Sequence, residues 1–160
     1  MAHHRPFLGT QLAPHQGLPA GLLAGLGMLG VWAGLAQGVG PGAAELLGTI
    51  AATLPGLADR GDVGPLFAGG LIHLLVAVIL GLLFAASLDR LSRRDTLIVS
   101  TFYGFTIWVV AAFIVGHWFN DRMVMLLRTW WSLLACLSFG LFLGLYAVAR
   151  GQPLPQLSPD

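Results

Sequence analysis

The 160-residue chain has no lysine, a single cysteine and very few charges: eight arginines face seven acidic residues, only 9% of the residues are charged, and the net charge is +1. That balance leaves neither a nucleic-acid footprint nor a polybasic lipid-binding segment. The arginine-only cation set suggests a GC-rich, bacterial coding sequence. Cys136 is alone and sits in an apolar run, so an internal disulfide is excluded and the residue reads as a small packing side chain. Carboxylates are absent from every long apolar run, and no such run is interrupted in the way that marks a transport path. Catalytic pairings are also missing. Ser87, Ser100, Ser132 and Ser138 have no base at a recognisable spacing, so an enzyme is not expected.

What remains is apolar. Hydrophobic residues make up 56% of the chain, and the mean hydropathy of +0.80 exceeds what one small aqueous core could hide. The composition predicts an all-α integral membrane protein: a four-transmembrane-helix antiparallel bundle with spans over 18–39, 66–88, 96–118 and 130–149. The stretch 66–88 has no charge and one histidine, His73. At about 1.5 Å per residue it reaches roughly 34 Å, enough for a hydrocarbon core of about 30 Å. The run 18–39 is longer than a signal-peptide core and has no clear cleavage site, so it is expected to stay as a span.

Between the first two spans, residues 42–54 place Leu46, Leu47, Ile50 and Leu54 on one face and Glu45, Thr49 and Thr53 on another, and Pro55-Gly56 ends the pattern. This predicts one short amphipathic interfacial helix, a connector across the bundle mouth or a lid over a site. Residues 119–129 read as a short loop, and 1–17 and 150–160 as polar tails. With both termini inside, Arg5, Arg90, Arg93, Arg94 and Arg150 are cytoplasmic against Arg60, Arg122 and Arg128 outside. Positive-inside counting therefore favours cytoplasmic termini in a bacterial inner membrane. Trp118, Trp130 and Trp131 would then form an outer aromatic belt.

Small residues recur four apart in each span: Gly17, Gly21 and Gly25, then Gly30, Gly34 and Gly38, in the first; Gly69, His73, Ala77, Gly81 and Ala85 in the second. The third carries Ser100, Gly104, Trp108, Ala112 and Gly116, and the fourth Ser132, Cys136, Gly140 and Gly144. Lipid tails are as apolar as leucine, so helices associate in a bilayer by close fit, and these ridges are the expected contact surfaces. Ridges on more than one side suggest further integral-membrane subunits as partners, with lipids and a possible quinone or pigment contact.

An ionisable side chain inside a span is a candidate site. Gly69 precedes His73 by one turn, the room a flat macrocycle needs beside an axial histidine, so haem or bacteriochlorophyll is the alternative to a helix-fastening hydrogen bond. His117 is the second candidate ligand, nearer the membrane surface. His117, Asp121, Met123 and Met125 would suit Cu(I) by ligand softness, which keeps open a small transport or copper-handling protein.

The glycine-rich first span, Pro41-x-x-x-Glu45-Leu46-Leu47-Gly48, His73 with Gly81 eight residues on, and Gly104 with Trp108 together resemble a group of uncharacterised small bacterial four-helix membrane proteins. The resemblance implies that fold and assigns no functional residue. The function expected on these grounds is that of a non-catalytic accessory or scaffolding subunit of a larger membrane complex, such as a respiratory or photosynthetic electron-transfer assembly.

Overall fold

A computed structural model describes residues 10–39, 42–53, 63–88, 91–119, 121–150 and 152–153, and the statements below concern those residues. Most of the expected tails, the segment after the amphipathic helix, and Arg5, Arg60 and Arg90 of the orientation argument lie outside them. The chain runs through β1 (Thr10–Gln11), a 3-10 turn, α1 (Gly17–Val39), α2 (Ala43–Ala51), α3 (Val63–Ser87) and α4 (Arg93–Val110). A π-helical segment, Ala111–Val115, leads into α5 (Gly116–Phe119), followed by α6 (Asp121–Leu127), α7 (Trp130–Arg150) and β2 (Gln152–Pro153). Four helical stretches are long and apolar enough to cross a membrane: Pro14–Leu35, Val63–Ser87, Arg93–Trp118 and Trp130–Arg150. Apart from the two-residue antiparallel pairing of β1 with β2, the fold is helical.

Three boundaries differ from the sequence reading. The second long helix starts at Val63 rather than Leu66, because Pro65 falls in its first turn, where a missing N–H costs nothing. The third starts at Arg93 rather than Thr96. Ser92 caps it, its hydroxyl accepting from the Asp95 amide at 3.2 Å and donating to the Asp95 carboxylate at 2.6 Å. The expected loop 119–129 contains α6, whose Met123, Val124 and Leu126 are buried while Asp121 stands in its first turn.

Glycine decides which helices touch. A Cβ on Gly17 or Gly21 would overlap the α3 backbone at Ala77–Leu82, and one on Gly81 would overlap Gly17 and Gly21 in return. The α4/α7 seam is built alike: a Cβ on Gly104 would strike the Cys136 carbonyl, and one on Gly140 the Ser100 carbonyl. Gly144 receives the Ser100 side chain, and Gly27 the ring of Phe142 from α7. Backbones can approach this closely only where no side chain intervenes, and that proximity supplies the dispersion and weak Cα–H contacts that hold helices together in an apolar medium.

The bundle is therefore two tight antiparallel pairs, α1/α3 and α4/α7, joined along α1 and α7. The remaining side, α3 against α4, has no comparable backbone seam. It is bridged by side chains: Tyr103 donates to the Leu80 carbonyl at 2.9 Å, and its ring meets Phe84 at 5.3 Å. Replacing Tyr103 by Phe keeps the ring contact and removes the hydrogen bond, and should cost about 1 kcal/mol in detergent unfolding, the usual worth of an interhelical hydrogen bond in an apolar medium.

Outward faces are apolar, with Phe67, Leu71 and Leu75 of α3 and Ile98, Phe102 and Phe105 of α4 exposed. Such a surface fits a hydrocarbon surrounding and would be a liability in water.

Candidate functional site: an apolar cavity beneath two short helices

Slack at the α3/α4 side leaves space, and the end of the bundle remote from the termini turns it into a cavity. α2 lies along the start of α3 because Gly69 has no side chain; a Cβ there would run into the Leu47 backbone. From that seat α2 extends Leu46, Ile50 and Thr53 into the bundle mouth, and α6 adds Met123 and Leu127. Glu45 of α2 and Arg122 of α6 pair at 2.7 Å, tying the two roof helices on their outer side. Thr49 of α2 and Thr53, just past its end, donate to the carbonyls of Glu45 and Ile50, so both hydroxyls are satisfied locally.

Below this roof is a cavity of about 230 Å³. Met28 and Trp32 of α1, Ile72, His73, Val76 and Leu80 of α3, Ile107 of α4, Ala111 and Val115 of the π segment, and Cys136 and Phe139 of α7 complete its wall. Val76 is the one exposed residue of this wall, at 48%, so the wall meets the surface of the bundle along α3.

His73 is held by an interhelical hydrogen bond. Its Nε2 lies 3.2 Å from the Gly25 carbonyl of α1. A carbonyl can only accept, so Nε2 carries the proton and, in the neutral ring, Nδ1 keeps the lone pair. Gly25 permits the approach, since a Cβ on it would meet Ala77 and stand 3.8 Å from Nε2. Both features that favoured an axial ligand thus have other occupants: Nε2 is engaged by Gly25, and the room beside Gly69 is filled by the Leu47 backbone.

His117 does not join His73. It is exposed on α5, with Nε2 2.8 Å from an Arg128 guanidinium nitrogen, and it is not part of the cavity wall. Arg128 also donates to the Ala112 carbonyl at 3.4 Å and stands 5.1 Å over the Phe113 ring, so it clamps the π-widened turn. Trp108 donates to the Leu127 carbonyl at 2.8 Å, tying α4 to the end of α6. The group considered for copper is split: Met123 is buried against the cavity, whereas Met125 is 67% exposed. Among the described residues no three His, Cys, Asp or Glu side chains come together.

The glycines expected at helix contacts divide in two. Gly69, Gly81, Gly104, Gly140 and Gly144 lie against neighbouring helices, whereas a Cβ on Gly30 or Gly34 would meet nothing within 4 Å. In α1 the ridge that packs inside the chain is Gly17, Gly21 and Gly25. The surroundings of Gly38 lie outside the described residues.

Sequence reasoning did not find the cavity. Met28, Trp32, Cys136 and Phe139 come from two helices and read singly as core. The one signal in the sequence concerned the roof: five apolar residues, Met123 to Leu127, follow Asp121-Arg122 in the stretch that read as a loop. Comparison with protein-family models, with curated proteins and with solved structures gives no match for this chain.

Proposed function

We propose that this chain is a non-catalytic, multi-pass protein of the bacterial inner membrane, an accessory or scaffolding subunit of a larger membrane assembly of the kind that includes respiratory and photosynthetic electron-transfer complexes. The observation that supports this is the open ridge on α1. Gly30 and Gly34 stand one turn apart on an exposed face, and a Cβ on either would meet none of the described residues within 4 Å. Each glycine forgoes about 1 kcal/mol of helix propensity relative to alanine. Lipid tails have no need of a small residue at these positions, whereas a second helix does, since only a bare backbone lets it approach closely. The occupant of this ridge is a transmembrane helix of a different subunit.

Copurification from the native membrane, read by mass spectrometry, tests the reading. The wild-type chain should retain a defined set of integral-membrane proteins, and the double variant Gly30→Leu/Gly34→Leu should lose them. Because none of the described residues packs there, the variant's own unfolding should stay within about 0.5 kcal/mol of wild type. Equal recovery of the same partners by both proteins would refute the proposal, and recovery of this chain alone would replace it with a homo-oligomer.

A further inference from the structure

We infer that the cavity beneath α2 and α6 is a binding site for a hydrocarbon chain, received from the surrounding lipid through the gap between α3 and α4. The inference does not depend on whether the chain has a partner subunit. It requires only that the four long helices stand in lipid.

Three observations carry it. The first is position: Val76, the one exposed residue of the wall, belongs to α3, which has no backbone seam with α4, and both helices turn apolar faces outward. What stands before such a surface in a bilayer is an acyl or isoprenoid chain. The second is size. A cavity of about 150 Å³ with apolar walls takes up benzene, so 230 Å³ accommodates about nine chain carbons on the same scale.

The third observation is chemistry. The imidazole and the hydroxyl on the wall are already turned to backbone carbonyls, His73 to Gly25 and Thr53 to Ile50. With its proton committed on Nε2, neutral His73 has no donor left for a quinone carbonyl, and Nδ1 can only accept. A headgroup that must accept a hydrogen bond, such as a quinone carbonyl, would lose its water without gaining a donor from either group, whereas a hydrocarbon chain has nothing to lose. The site therefore takes a tail, with any headgroup left outside at the membrane surface.

The full chain reconstituted into phosphatidylcholine vesicles doped with a phosphatidylcholine bearing a diazirine in mid-acyl chain tests this. After illumination, peptide mapping should place adducts on cavity residues such as Met28, Ile72 and Cys136, in addition to the outer residues Phe67, Leu71 and Leu75. In Val76→Trp, which plugs the proposed entry, the cavity adducts should be lost and the outer ones kept. Ile72→Phe, which fills the space from within, should do the same should the first variant fail to fold. A parallel arm with a diazirine fatty alcohol in place of the labelled lipid separates the sources: adducts from both probes mean that any free chain enters, and adducts from the lipid alone mean a bilayer acyl chain. Wild-type labelling confined to the outer faces with both probes, or cavity labelling that survives both fillers, would overturn the inference.

Discussion

Gly140→Leu is expected to destabilise the chain by about 3 kcal/mol, the upper end of the cost of overpacking a close-fitted interior. The reason is the absence of anything soft to displace. A Cβ at 140 would meet the Ser100 carbonyl and the backbone of Gly104, and these belong to a helix that cannot yield by changing a rotamer. Accommodating leucine requires α4 and α7 to separate over several turns. Separation would also unseat Gly104 from the Cys136 carbonyl and Gly144 from Ser100. The effect should be read in reversible unfolding in detergent against Gly30→Leu, which adds the same side chain to a position with open space and should change little. Equal stability of the two variants would mean that the α4/α7 seam is looser than its glycines imply.

The contrast between those two glycines marks how far the sequence could be read. Four long apolar helices, a short amphipathic helix after the first and ridges of small residues are all visible in the chain. Which face of α1 would be covered is not. Gly17, Gly21 and Gly25 and Gly30, Gly34 and Gly38 are equivalent as patterns, and the choice between them comes from where Ala77 and Gly81 of α3 dock. The start of α4 was legible in principle, since Ser92-x-x-Asp95 is a capping pattern. The π segment at Ala111–Val115 has no signal in the sequence that distinguishes it from ordinary helix. It is held by Arg128, which is distant in sequence and belongs to the stretch that read as a loop.

The cavity was out of reach for a related reason. A void is a property of what fails to fill it, and here four spans and two roof helices each contribute a few apolar side chains. His73 drew notice as the unusual residue, yet its role at the wall is to fasten α3 to α1. Trp108, the other large member of a small-residue ladder, likewise ties its helix to a neighbouring carbonyl. Exceptions in a ladder of small residues therefore mark interhelical hydrogen bonds in this chain as readily as they would mark ligands.

Gly69→Leu should lift the roof without dismantling the bundle. The Leu47 backbone of α2 rests against Gly69, and leucine there would push α2 away from α3. Neither α1/α3 nor α4/α7 depends on that contact. The opposing tie is weak: Glu45 and Arg122 pair where they are 39% and 65% exposed, and exposed pairs contribute at most about 1 kcal/mol. A strain of about 2 kcal/mol confined to one short helix raises its open population roughly thirty-fold. Cys136 provides the readout, because it is the chain's one cysteine, is 3% exposed and lines the cavity below the roof. Its rate of alkylation by a water-soluble maleimide should rise by about that factor in Gly69→Leu, the relation between opening free energy and population being the usual tenfold per 1.4 kcal/mol. Gly70→Leu, at the adjacent residue where a Cβ meets nothing within 4 Å, should leave the rate unchanged. If both variants label like wild type while remaining folded, α2 is not the barrier between the cavity and water, and the barrier must be sought at α6.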